Sequence, residues 1–162
     1  MGFLTIPGRR FVNIADDVRL GRDVIVYEFT NLYGCTIGDG TRIGTFVEIQ
    51  KGATVGRHCR IQSHTFICQG VTIEDEVFVG HGVMFINDRH PNVHDTLAGT
   101  WRLEPVHVES GVSIGSGAVI MGGVRLGARC VIGTGAVVTH SVPPGVTVAG
   151  VPARTLSVRQ AV

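Results

Sequence analysis

The chain has 162 residues, with 14 Lys and Arg against 13 Asp and Glu and a formal charge of +1 at neutral pH. That length suits one domain able to bury a core without a disulfide framework, and the near-zero charge excludes a nucleic-acid groove or a polybasic membrane patch. Glycine is overused, with 23 residues or about 14% of the chain against an average of about 7%, while proline stands at 6, so neither collagen nor a Pro/Gly linker explains the excess.

The first residues, MGFLTIPGRRF, hold too short an apolar stretch for a signal peptide, and Ile6 stands where a myristoylation motif wants Ser or Thr. No apolar run approaches the ~18 to 20 residues that span a bilayer. A cytoplasmic protein with no membrane partner is expected, with residues 1–13 as an N-terminal cap. Cys35, Cys59, Cys68 and Cys130 form no CxxC or zinc spacing and are expected as reduced thiols.

From Ile14 an aliphatic residue recurs every six positions: Ile14, Leu20, Val26 and Leu32, then after one five-residue step Ile37, Ile43, Ile49, Val55, Ile61, Ile67, Ile73 and Val79, with Phe85 closing the run. The register resumes at Val108, Ile114, Ile120, Leu126, Ile132 and Val138. Four places after each of these sits a small or β-branched residue, except that Arg89 follows Phe85. Neither a helical period of 3.6 nor strict alternation fits. A six-residue period of this kind describes a short strand and a tight corner, in which two side chains point inward. Eight rungs carry Gly directly after the aliphatic (Gly21, Gly38, Gly44, Gly56, Gly80, Gly115, Gly127, Gly133), read here as corners needing backbone angles that glycine adopts without steric cost.

Residues 86–107 interrupt the period. This segment carries His90, His94, His107 and Trp101 and is too long for an ordinary turn. It reads as a binding excursion, as an arm clasping a neighbouring subunit, or as both. Residues 144–162 are the expected C-terminal cap.

The repeat resembles that of the hexapeptide-repeat proteins over residues 14–143. The implied fold is all-β: a left-handed parallel β-helix of about six triangular coils, three hexads to an 18-residue coil, with one extended loop. Residues 18 apart then share a column, which aligns Lys51, Gln69 and Asn87, and likewise Thr45, Ser63 and His81. These polar columns are expected to gather on one edge.

A narrower resemblance covers Phe29–Asp88, where NLYGC, GTFVEIQKG, SHTFIC and GHGVMFIND are similar to blocks of the acetyl-CoA-dependent N-acetyltransferases that act on nucleotide-linked 3-amino sugars. The C-terminal GVPAR, Gly150–Arg154, resembles an end motif of the wider hexapeptide acyltransferases. The resemblance implies a homotrimer with active sites between subunits, acetyl-CoA as cosubstrate and a UDP- or dTDP-linked amino sugar as acceptor. Asn87, in the FIND block, is implied beside the reacting amine. His64 and His81 are candidates for a general base, or plain edge hydrogen-bonders. Gln69 stands where the family commonly has Glu, which argues against acid/base work there.

Glu48, Gln50, Phe66, Gln69 and Asp88 are candidate substrate contacts, and Phe66 suits either base stacking or an interface anchor. For CoA, the resemblance implies the turns at Gly117-Ala118 and Gly135-Ala136, where corner geometry alone is the rival explanation. Arg154, with Arg159 second, is a candidate for the CoA phosphates. Three other functions compete: a sugar O-acetyltransferase of the same fold, a γ-type carbonic anhydrase, and a β-helix without catalysis. The second lacks its pattern, since the His expected five residues after His81 is Ile86, and no metal is expected.

Overall fold

The computed structural model describes residues 11–156. Two-residue strands recur at the predicted hexads and pair in parallel, forming three faces of a β-helix. Face A stacks Asn13–Ile14, Asn31–Leu32, Glu48–Ile49, Phe66–Ile67, Met84–Phe85, Val119–Ile120 and Val137–Val138. Face B carries six strands from Arg19–Leu20 to Arg125–Leu126, with Val142 bridged to Leu126. Face C runs from Ile25–Val26 to Thr147–Ala149 and ends on Arg154–Thr155, its single antiparallel member.

Seven coils therefore stand where about six were expected. The seventh is completed by Val142 and Thr147–Ala149, residues whose hexad signature is erased by Pro143-Pro144. The five-residue step falls at Tyr33–Cys35, and there Arg19 pairs Thr36 at a spacing of 17.

Two-residue strands have no independent stability. They are held by the column of fully buried apolar side chains that includes Leu32, Ile49, Ile67, Phe85 and Ile120, each worth roughly 1.5 to 3 kcal/mol of burial. The second inward slot takes Val, Ala, Cys or Thr. Buried Thr30, Thr41 and Thr65 are accommodated because each hydroxyl donates to the carbonyl of the residue after an aliphatic, Gly44, Gly56 and Gly80 respectively. All four cysteines are buried and unpaired.

The corner glycines work differently from the expectation. The left-handed residue lies three places after the aliphatic, as at Gly40, Gly52 and Gly117. The glycine directly after the aliphatic is required by the next coil: a Cβ on Gly115 would lie 2.5 Å from the backbone nitrogen of Thr134. The arm is also shorter than predicted, because Val106–Val108 pairs with Val71–Ile73 and returns His107 to face B, where it bonds Glu74 at 2.7 Å. The arm spans residues 86–105 and includes the helix Val93–Ala98, capped by Asn92 and Gly99. Among the described residues no helix is long and apolar enough to cross a membrane.

Candidate functional site

The edge between faces A and B carries a hydrogen-bonded chain that climbs four coils. Tyr33 Oη donates to Glu48 Oε1 at 2.9 Å, and Gln50 Nε2 donates to the same oxygen at 3.3 Å. Gln50 Oε1 accepts from the Gln69 backbone N–H at 3.3 Å, and the Gln69 carbonyl accepts from Asn87 Nδ2 at 3.0 Å. Desolvation, then the bond to Glu48, raises the Tyr33 pKa above its usual value, so the phenol stays the donor. Glu48, Gln50, Gln69 and Asn87 are thus gathered by the coil repeat into one network. One Nδ2–H is donated to Gln69, which fixes the orientation of the Asn87 amide and leaves Oδ1 as an acceptor and the second N–H as a donor.

The root of the arm fixes this edge. The Asn87 carbonyl accepts from Glu104 N–H at 2.9 Å, closing the excursion at its base. Arg89 donates to the carbonyls of Gly122 at 2.6 Å and Thr139 at 3.0 Å, tying the arm to the two coils above. Glu104 Oε2, buried without a hydrogen bond, lies 3.4 Å from Arg89 Nε. Asp88 accepts from the His90 N–H at 2.9 Å and starts the arm's first turn. His140 lies in the Asn87 column two coils higher, above Gly122, and was missed in the sequence because the arm offsets the 18-residue count.

The second polar column lies on the other edge of face A, where face C meets it, so the two columns do not share one edge. Ser63 Oγ and His81 Nδ1 are 2.8 Å apart, and the His81 N–H donates to Ser116 Oγ at 3.1 Å. The tautomer with Nδ1–H donating to Ser63 leaves Nε2 as an acceptor. His64 stacks on Phe46 with ring centroids 4.9 Å apart. An open cleft of about 370 Å³ beside this edge is lined by Tyr27, Arg42, Thr45, Arg60, Gln62 and Ser63. Within one chain Asn87 and the two histidines are therefore held apart by the width of face A. Phe66 lies on that face, half-buried, between Glu48 and Met84.

The glycines proposed for CoA share the histidine edge. Gly82, Gly117 and Gly135 stack in one column, all left-handed, and nothing lies within 4 Å of where a Cβ would be. They form a corner without side chains, which fits a long flexible ligand lying against backbone. Ala118 and Ala136 face the core and are fully buried, with their N–H groups bonded to Gly115 and Gly133. Arg154 is exposed beside a second cleft of about 250 Å³ that also includes His140. Arg159 lies outside the described residues. Among the described residues no group of three or more His, Cys, Asp or Glu is placed to hold a metal ion.

Comparison with known proteins follows the repeat. The family model "Bacterial transferase hexapeptide (six repeats)" matches residues 34–69 and 105–140, leaving the arm between its two blocks. Both blocks thus carry the hexapeptide repeat of the bacterial transferases. A serine acetyltransferase of Mycobacterium tuberculosis is 35% identical over 128 residues, which cover 74% of this chain and 49% of that protein. The chain spans only about a third to a half of the length of the curated relatives it matches.

Among solved structures, a hexapeptide-repeat acetyltransferase of Vibrio cholerae O1 biovar eltor, in complex with acetyl coenzyme A, is 29% identical. It aligns over 87% of this chain and 70% of its own, with a TM-score of 0.61. A variant of AntD, an N-acyltransferase of Bacillus cereus in complex with dTDP and coenzyme A, reaches a TM-score of 0.76 at 20% identity, over 88% of this chain and 84% of its own. At that identity it speaks to the fold alone.

Proposed function

We propose that the protein is an acetyl-CoA-dependent N-acetyltransferase that acetylates an amino group, at C3, of a UDP- or dTDP-linked sugar. It works as a homotrimer in which the Asn87 edge of one chain faces the histidine edge of the next. The carrying observation is the tether of Asn87 to the Gln69 carbonyl, which leaves an oriented, non-titrating acceptor at the root of the arm. Acetyl coenzyme A bound in the Vibrio cholerae acetyltransferase supports the cosubstrate class, and the nucleotide-sugar acceptor rests on the resemblance of the Phe29–Asp88 blocks.

In this reading an amine N–H donates to Asn87 Oδ1, which aims the nitrogen lone pair at the thioester carbonyl carbon within about 3 to 3.5 Å. The C–N bond forms, the C–S bond breaks, and the proton lost by nitrogen passes to the departing thiolate. No side chain has to change charge, so positioning supplies most of the acceleration. The open corner at Gly117 and Gly135, above the Gly82 level, admits the pantetheine arm.

A second reading, transfer to a sugar hydroxyl, is favoured by the Ser63–His81 contact, because a hydroxyl nucleophile needs a base and His81 Nε2 is oriented to serve as one. The test is thiol release from acetyl-CoA with a panel of UDP- and dTDP-linked 3-amino and 4-amino sugars and their hydroxyl counterparts. Turnover with an amino sugar is expected, and turnover restricted to hydroxyl acceptors replaces the reading.

A further inference from the structure

One column of the histidine edge is built from aromatic rings. Phe11, Phe29, Phe46 and His64 occupy equivalent corner positions on four successive coils, with ring centroids 5.4, 5.0 and 4.9 Å apart and planes within 22° of parallel. Each holds a left-handed backbone, with φ from 57° to 74°, a conformation that costs a bulky side chain free energy and that glycine occupies at many other corners. Asp23, His58, Glu76 and Arg129 adopt the same backbone at another corner, so what sets this column apart is the continuous ring-on-ring stacking. Each ring covers the faces of its neighbours, and the stack ends abruptly at His64. The next position is Gly82, also left-handed, with nothing within 4 Å of its Cβ direction.

We propose that the position above His64, at Gly82, is a vacant rung that receives the nucleobase of a nucleotide ligand, which stacks on the His64 ring as a fifth member of the column. This inference rests on the nucleotide-ligand reading above and identifies where the base sits. Two neighbouring features select a nucleotide rather than another flat group. His81, Ser63 and Ser116 form a hydrogen-bonded cluster beside the rung, suited to the polar edge of a base. The adjoining cleft carries Arg42 and Arg60 on consecutive coils of face C, in register, as cations for the attached phosphates. His64 thus acts through its ring face, and its titration is not required.

The rung can be filled from within the chain. Gly82→Phe places a fifth aromatic at a φ that Phe29 and Phe46 already adopt, so the variant is expected to fold with an unchanged or raised melting temperature while closing the rung. Calorimetric titration of wild type, His64→Ala, His64→Phe and Gly82→Phe with dTDP, UDP, coenzyme A and phosphopantetheine tests the inference.

The expected result is that a base-bearing ligand loses about tenfold or more in affinity on His64→Ala, the size of one base-stacking contact, and regains it in His64→Phe. It fails to bind Gly82→Phe, while phosphopantetheine, which has no base, is unaffected throughout. A loss confined to dTDP and UDP assigns the rung to the acceptor's base, and one confined to coenzyme A assigns it to adenine. Equal binding of the base-bearing ligands to all four proteins overturns the inference and leaves the nucleotide reading standing. So does a change of sedimentation in Gly82→Phe without loss of nucleotide, which makes the rung a contact between copies. Failure of the wild type to bind dTDP, UDP or coenzyme A overturns both.

Discussion

The Asn87 side chain is pinned to the backbone of Gln69, not to its side chain, at a distance of 3.0 Å. The tether therefore survives any substitution at 69 that keeps the coil. Gln69→Ala is expected to retain kcat within about threefold, whereas Asn87→Ala loses on the order of a hundredfold or more, the scale of removing one oriented polar group from a reacting centre. Melting curves of the two variants alongside thiol-release kinetics separate catalysis from folding. Comparable losses in both would place the working group at Gln69.

His81 offers the sharpest division between the two acyl-transfer readings. For an amine acceptor, His81→Ala keeps kcat within about tenfold, since no base is needed. For a hydroxyl acceptor it falls by about a hundredfold or more, the usual contribution of general base catalysis. Measuring kcat for His81→Gln with both acceptor types adds an independent readout, because only the hydroxyl mechanism loses turnover when the ring nitrogen is replaced by a non-basic amide.

Two glycine substitutions probe how the corners are built. Gly115→Ala forces a Cβ against the backbone of Thr134 and neither can yield without opening the ladder, so a loss of about 3 kcal/mol or more is expected. Gly135→Ala meets open space and bears only the left-handed penalty, about 1 kcal/mol. Urea unfolding of both variants gives the ranking, and equal losses would contradict the account of coil contact.

Glu109 supplies the pH prediction. Its carboxylate accepts from the Ala128 N–H and from Arg125, and these two bonds, the backbone one first, hold its pKa below the usual glutamate value. A depressed folded pKa means the contribution is fully present above the unfolded value of about 4.3 and is lost as pH falls through the lower folded one. Glu109→Gln is therefore expected to be less stable than wild type at pH 7, with the gap closing below about pH 4. Thermal melts from pH 3 to 7 follow it.

Much of this molecule is legible in the sequence because a solenoid turns linear spacing into contact. The 18-residue count places Asn87 over Gln69, and His81 over Ser63, and both pairs are bonded. What the count does not carry is the direction of each edge. Asn87 and His81 are six residues apart, one whole strand, and so sit on opposite sides of face A. The role of Gly115 was misread because it depends on how closely Thr134 approaches from the next coil, a distance no local pattern encodes. The stacked rings at Phe29, Phe46 and His64 repeat at 17 and 18, so their signal was present. It was masked because three different hexads carry them at a variable position. His140 was hidden by the arm, which shifts its column partner Asn87, two coils below, from 36 to 53 residues away.

The four buried cysteines leave the protein with its own clock. Cys35, Cys68 and Cys130 are each pushed up to about 11 by burial, and Cys59 is raised by the same cause. None presents a reactive thiolate near neutral pH while the coils are closed. An aromatic disulfide reagent added to native protein should therefore stay colourless, and its slow development under denaturant would time the opening of the coils that begin at Asn31, Glu48, Phe66 and Val119, each of which holds one sulfur. Coil-by-coil unfolding becomes countable when those thiols are replaced by Ala or Val one at a time.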